Sequence, residues 1–277
     1  MTFQQAIDRA AAKLGDVCDN PKLEAQLLIC HACRIDQAKL VAHPDDELPA
    51  REEEIFEIHC SSRLEGKPFA YITGTKEFWS LELLVNQHVL IPRPETEQLV
   101  EIALELIPDG QCLQILDLGT GSGAIAVAIA KERESCSVTA TDISKSALKV
   151  ARQNADRHEV EITFSHSDWF TNLHRARYDV IVSNPPYVSE NDPNLDRHVA
   201  RYEPRLALIS GKSGLEHIEQ IINHAGQFLN RQGCLLIEHG FNQGAVVRRL
   251  LSQKGFIRIN TYQDLSGQER VSCARAP

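Results

Sequence analysis

Residues 113–130, LQILDLGTGSGAIAVAIA, decide the fold. Ile115, Leu116 and Leu118 form a short apolar run with one acid, Asp117, inside it. Gly119, Gly121 and Gly123 follow, then a block of Ala, Ile and Val long enough for a helix. A short apolar strand, a glycine loop and an apolar helix make the opening of a βαβ unit. The pattern then repeats downstream. SVTATD (137–142), EITFSHSD (161–168), YDVIVSN (178–184) and GCLLIEHG (233–240) read as strands. SKSALKVARQNADRH (144–158), GLEHIEQIINHAGQFL (214–229) and GAVVRRLLSQKG (244–255) read as helices between or after them. FIRINTYQDL (256–265) and ERVSCARA (269–276) have no helix between them and read as an antiparallel pair. Strands alternating with helices predict an α/β fold: a doubly wound, mostly parallel, Rossmann-like sheet with an antiparallel C-terminal hairpin.

Upstream the texture differs. Residues 1–66 carry apolar residues at helical spacing, with Asn20 placed to cap a helix that starts at Pro21. These predict a small helical N-terminal domain. Residues 67–92, which contain PFAYITGTKEFWSLELLVNQHVLIP, alternate apolar and polar around Gly74 and predict a β-hairpin linker. IPRPETE (91–97) breaks the strand and opens a helix, with Pro94 suited to its first turn and Glu95 and Glu97 to its positive end. The remaining domain is expected over 93–277.

Composition narrows the function classes. The 277 residues are 43% hydrophobic, enough for a sizeable core, and carry a net charge of −9. No apolar run reaches the ~18 residues of a membrane span, and the N-terminus lacks a signal-like apolar block. A cytoplasmic protein with no membrane partner is expected. The acidic balance argues against direct nucleic-acid binding through phosphates. No exposed apolar stripe argues for a dimer, so a monomer is expected. Of the eight cysteines, Cys30 and Cys33 in CHAC have metal-like spacing, but no second pair accompanies them. They read as core thiols on one helix face, and no metal site is expected.

The glycine loop points to a ligand. Glycines allow a tight turn and a close backbone approach, and the helix beyond offers free N–H groups. Asp142 ends the next strand about twenty residues on, where an acid commonly holds ribose hydroxyls. Gly119, Gly121 and Ala124 also satisfy a relaxed dinucleotide pattern, so a nicotinamide-dependent oxidoreductase is a rival reading. Asp117 weighs against it: an anion there repels a pyrophosphate but suits an ammonium. S-adenosyl-L-methionine has a ribose, an ammonium and a sulfonium and no phosphate. Thr120 and Ser122 complete the loop, and Asp168 and Trp169, after the third strand, are placed near the adenine.

Asn184, Pro185, Pro186 and Tyr187 end the fourth strand, beside the first in this topology. A planar nitrogen has a delocalised lone pair and needs orientation more than a strong base. Asn184 offers a carbonyl oxygen to one N–H and Pro185 its backbone carbonyl to another. Pro186 keeps Pro185 extended, and Tyr187 supplies a flat face. Two acceptors that fix a nitrogen in line with a methyl group are orientation catalysis.

DLGTGSG, the acids that follow it and NPPY together resemble the class I S-adenosylmethionine-dependent methyltransferases that modify planar nitrogens. PFAYITGTKEFW, LIPRPETE and the helical N-terminus resemble the HemK/PrmC family of protein-(glutamine-N5) methyltransferases. The resemblance implies peptide-chain release factors as protein substrates, methylated on the glutamine of their Gly-Gly-Gln loop, with an effect on translation termination. It implies donor contacts at Gly119 to Gly123, Asp142, Trp169 and Asn184, and glutamine contacts across Asn184 to Tyr187. Arg93 and Glu95 are expected to shape the pocket floor, or to serve the linker alone. YEPRLAL (202–208) and GKSGLEHI (211–218) also resemble family segments, the latter with Lys212 and Ser213 where a small-acidic pair is expected. Read without the resemblance, the NPPY slot also suits a nucleic-acid amine, and a non-catalytic ribosome-associated binder is a further alternative.

Overall fold

The computed structural model describes residues 1–173 and 176–276. The chain divides into two compact units, Met1–Gly74 and Thr75–Pro277.

The first unit is helical: α1 (Phe3–Leu14), α2 (Pro21–Cys33), α3 (Gln37–Ala42), α4 (Ala50–Leu64) and α5 (Phe69–Thr73). Its starts follow local chemistry. Thr2 and Gln5 form a reciprocal capping box on α1. Asn20 Oδ1 accepts the Leu23 N–H at 3.3 Å, with Pro21 in the first turn of α2. Phe3, Ile7, Leu14, Leu28, Ile29 and Phe56 fill the core, and Cys30 is buried among them. The segment 69–73, expected as strand, is the helix α5. Pro68 precedes it with extended backbone, and Gly74 closes it at φ 76°. That Pro-before, Gly-after punctuation outweighs a weak alternation over five residues.

The second unit begins with a hairpin, β1 (Thr75–Phe78) and β2 (Leu81–Leu84). Trp79 and Ser80 turn it with φ 53° and 56°, the left-handed pair that matches strand twist. Then come α6 (Thr96–Leu106), β3 (Gln114–Leu118), α7 (Ala124–Glu132), β4 (Ser137–Asp142), α8 (Lys145–Arg157) and β5 (Ile162–His166). The chain continues with β6 (Tyr178–Ser183), α9 (Arg197–Tyr202), α10 (Glu216–Phe228), β7 (Leu229–Glu238) and α11 (Gly244–Gln253). β8 (Ile257–Gln263) and β9 (Glu269–Arg275) end it. Seven strands form one sheet in the order β5-β4-β3-β6-β7-β9-β8. All pairs are parallel except those that β9 makes with β7 and β8. The expected α/β fold, its antiparallel C-terminal hairpin and the helical N-terminal part are all present.

Period-two alternation divides the apolar side chains between two cores. Ile115, Val180, Val182 and Leu236 meet α6 and α7 on one face. Leu116, Ile181, Leu235 and Ile237 meet α10 and α11 on the other. Both faces are buried, which is why these strands read as continuous apolar runs. Strand order reverses between β3 and β6, and the register pairs Leu118 with Ser183. The glycine loop and NPPY therefore leave the sheet side by side at its carboxyl edge, the usual ligand crevice of such sheets.

Candidate active site

Gly119, Gly121 and Gly123 have φ of 73°, 56° and 84°. At Gly119 a Cβ would come within 3.3 Å of the Trp169 ring, and at Gly123 within 3.1 Å of Ala151. Thr141 O takes the N–H groups of both Gly119 and Thr120 at 2.9 Å. Asp142 holds the loop from the side: Oδ2 accepts the Gly121 N–H at 2.9 Å and Oδ1 the Ser144 N–H at 2.8 Å. Asn154, on α8, braces it from behind, donating to Ser122 O at 2.8 Å and to Leu84 O at 3.0 Å.

A cavity with about 1100 Å³ of empty volume, part of it open to solvent, lies over this loop. Gly119, Thr120, Gly121 and Ser122 line it, with Asp142, Asp168 and Trp169 beside them. Asn184, Pro186 and Arg93 also reach its wall. Asp117, Gly123, Pro185, Tyr187 and Glu95 do not line it. Asp117 is fully buried; Thr120 Oγ1 donates to its Oδ2 at 2.6 Å, and Oδ1 has no partner. Burial, with Asp142 nearby as a second cause, pushes the Asp117 carboxyl up to about 7. Burial likewise raises Asp142 above the usual carboxylate range.

At the end of β6, Asn184 Nδ2 donates to Thr96 Oγ1 at 3.0 Å. Tyr187 is held by its hydroxyl, which donates to Glu238 Oε1 at 3.2 Å, and by its carbonyl, which accepts from Gln243 Nε2 at 3.0 Å. Burial raises the Tyr187 phenol, so it stays protonated.

Several cavity residues escape sequence reasoning. Thr96, His217 and the apolar pair Leu206 and Ala207 all line the wall. The His217 ring stands 5.4 Å from that of Trp169, and burial lowers its pKa. Glu203 accepts the Ile91 N–H at 3.0 Å and pairs with Arg93 at 2.6 Å. Glu203 and His217 lie in YEPRLAL and GKSGLEHI, quoted above as segments but without roles. Thr96 was legible only as part of PETE. In the GKSGLEHI turn, Glu216 Oε1 accepts the Ser213 N–H at 3.0 Å, so this turn organises itself around Glu216.

The residues present suit a nucleoside with a cationic tail. Just behind the loop, off the cavity wall, Asp117 has an orphaned buried carboxylate oxygen that lacks a donor, which an ammonium reaching past the loop would supply. Asp142 presents its carboxylate at the wall, and Trp169 offers an aromatic face. The loop holds no cation that would balance a pyrophosphate.

Comparisons with known proteins agree. The family model described as PrmC N-terminal domain matches residues 5–74, and that described as Methyltransferase small domain matches residues 97–200. The chain is 41% identical over 276 residues to the release factor glutamine methyltransferase of Coxiella burnetii, covering 99% of each. To that of Salmonella typhimurium it is 40% identical over 276 residues, again covering 99% of each. Among solved structures, a 16S rRNA methyltransferase of T. thermophilus in complex with AdoMet and guanosine aligns with a TM-score of 0.54 and 21% identity. That alignment covers 73% of this chain and 50% of the other, and it speaks to the fold alone. With full-length identity of this order to curated relatives, and both domains matched, the chain belongs to the release factor glutamine methyltransferase family.

Proposed function

We propose that this protein transfers a methyl group from S-adenosyl-L-methionine to the side-chain amide N5 of the glutamine in the Gly-Gly-Gln loop of peptide-chain release factors, and so modulates translation termination. The observation that carries the reading is the Asn184 amide. Its Nδ2 is engaged by Thr96 at 3.0 Å, which leaves Oδ1 to accept an N–H at the cavity wall.

S-adenosyl-L-methionine, when bound, supplies an electrophilic methyl group on a sulfonium. Asp142 would hold its ribose hydroxyls, Asp168 and Trp169 would flank its adenine, and Asp117, behind the loop, would meet its ammonium. The backbone of Gly119 to Gly123, with the Thr120 and Ser122 positions, lets it approach closely. Asn184 Oδ1 and the Pro185 carbonyl each hold one N–H of the substrate amide, with Pro186 fixing the carbonyl and Tyr187 backing the planar group. The nitrogen would thereby be held facing the donor, and the proton it gives up would pass to water, since the cavity is partly open to solvent. Holding a weak nucleophile in a near-attack geometry is the main contribution such a site can make. Arg93, fixed by Glu203, and Glu95 shape the floor under the glutamine. No helix among the described residues is long and apolar enough to cross a membrane. A monomer that meets its protein substrate in the cytoplasm, without direct nucleic-acid binding, fits the net charge of −9.

The experiment offers methyl-labelled donor together with a release factor or duplex DNA. Label on the release factor supports the reading; label on DNA alone refutes it.

A further inference from the structure

The ladder of β6 ends at Ser183, paired with Leu118 on one side and Ile237 on the other. Pro185 and Pro186 have no N–H, so they give the sheet nothing to pin the slot that follows. The chain is caught again at Tyr187, whose carbonyl accepts from Gln243 Nε2 at 3.0 Å, and at Val188, whose N–H donates to Leu208 O at 3.0 Å. Thr96 holds the start of the slot at Asn184, and Gln243 holds its end.

Gln243 occupies the N-cap of α11, where a short Ser, Thr, Asp or Asn usually accepts a helix N–H. Its side chain makes no such bond to α11. It reaches three backbone groups instead: one on NPPY, one in the 211–214 turn and one in its own loop. Nε2 donates to Tyr187 O and, at 3.2 Å, to Gly214 O. Oε1 accepts the Gly240 N–H at 2.9 Å. A carbonyl only accepts and a backbone N–H only donates, so these partners allow one orientation of the amide. Turned over, it would set its oxygen against two carbonyls and its NH₂ against an N–H.

The Tyr187 carbonyl is also approached by Gly214. That residue has φ 79°, and a Cβ on it would fall 2.6 Å from Tyr187 O and 3.0 Å from Gln243 Nε2. The turn and the NPPY exit are laced by backbone bonds as well: the Ser210 N–H donates to Val188 O and the Glu190 N–H to Gly211 O, both at 2.8 Å.

We infer that Gln243, with Gly214 packed against it, is a positioning residue for the acceptor slot. It fixes the Tyr187 carbonyl, and through it the run that carries the Pro185 carbonyl and the Tyr187 ring. The inference rests on the methyl-transfer reading above. Gln243 and Gly214 lie off the cavity wall, so they act through NPPY and touch neither donor nor glutamine. A shift of about 1 Å in a group that aims a weak nucleophile can cost about 10² in rate.

The test compares Gln243→Met and Gln243→Glu with the wild type in steady-state methylation of a release factor at 25 °C and pH 8, alongside binding of S-adenosyl-L-homocysteine. Met keeps the length and loses every hydrogen bond. Glu keeps the acceptor for Gly240 and turns an oxygen toward two carbonyls. Both should lower kcat roughly 10–100-fold, with Gln243→Glu at least as impaired as Gln243→Met. KM for the release factor and the Kd for S-adenosyl-L-homocysteine should each move by less than about threefold, because a misaimed slot is a transition-state defect. Gly214→Ala displaces the same carbonyl from the other side, so its effect on kcat combined with Gln243→Met should fall short of the product of the two. Variants that only melt earlier, with kcat unchanged at 25 °C, would overturn the inference. So would a Kd for S-adenosyl-L-homocysteine that weakens as steeply as the rate, since that marks a collapsed cavity. A wild-type enzyme that never methylates the release factor would refute the transfer reading itself, and this inference with it.

Discussion

Arg93 and Glu203 are 110 residues apart in sequence, yet Arg93 Nη2 lies 2.6 Å from Glu203 Oε1. The other carboxylate oxygen of Glu203 accepts the Ile91 N–H at 3.0 Å. One acid thus clamps the IPRPETE segment (91–97), two residues of it directly, to the start of the Pro204–Ala207 wall of the cavity. The Glu203 side chain is 1% exposed and that of Arg93 32%, so the pair is only lightly screened.

Glu203→Ala should therefore cost more than a surface ion pair. It strands the Ile91 N–H and removes the Arg93 counter-ion, a loss of about 3 kcal/mol. For a chain of this size the melting temperature should fall by roughly 6–12 °C. Glu203→Gln keeps an acceptor for Ile91 and should lose about half as much. A Glu203→Ala variant that melts with the wild type would show that the clamp is not structural.

The glycine loop predicts an order of damage. Gly123→Ala meets Ala151 at 3.1 Å and must hold φ at 84°, whereas at Gly121, φ 56°, nothing lies within 4 Å of an added Cβ. Strain alone costs Gly121→Ala about 1–2 kcal/mol, and the clash adds at least about 1 kcal/mol more for Gly123→Ala. Chemical denaturation of the two variants measures the difference. Equal losses would mean that α8 yields at Ala151.

Asp142 binds two backbone N–H groups, at 2.9 and 2.8 Å, and faces the cavity. Asp142→Ala should weaken S-adenosyl-L-homocysteine roughly 10–100-fold, the value of one or two hydrogen bonds to a charged group. Isothermal titration calorimetry gives the number. Unchanged affinity would move the ribose away from Asp142.

Asp117 predicts a pH dependence with a definite sign. Its carboxyl is raised by burial from 3.8 to about 7. A group raised on folding favours the native state fully below its unfolded pKa, and that contribution is lost as pH rises through the folded value. Ligand-free enzyme should lose stability between about pH 4 and 7 relative to Asp117→Asn, whose side chain does not titrate. Ligand binding should show the reverse trend. An ammonium favours ionised Asp117, so affinity for S-adenosyl-L-homocysteine rises from about pH 5.5 to 7.5 in the wild type, more steeply than in Asp117→Asn. Parallel pH profiles in the two proteins would remove Asp117 from the ammonium site.

Much of this was legible in the sequence because it is local. Strand-loop-helix punctuation around Gly119 to Gly123 sets the βαβ frame, and a parallel sheet then brings Asn184 beside the loop by topology alone. The exceptions are also physical. PFAYIT alternates weakly, and Pro68 and Gly74 override it to make α5. Thr96, Glu203 and Glu238 act through partners 88, 110 and 51 residues away, and no spacing rule reports such contacts. NPPY signals a flat Tyr187 face, but the contact of its hydroxyl with Glu238, 51 residues on, has no local signal.

In the proposed mechanism the Asn184 amide oxygen orients a glutamine amide for methyl transfer. Incubating a release factor with donor and enzyme, then mapping the product by peptide mass spectrometry, tests it directly. A single methyl should be added, on the glutamine of the Gly-Gly-Gln loop. Asn184→Ala should lower the rate by about 10²–10³ while binding of S-adenosyl-L-homocysteine changes far less. A methyl found on another residue, or full activity in Asn184→Ala, would contradict it.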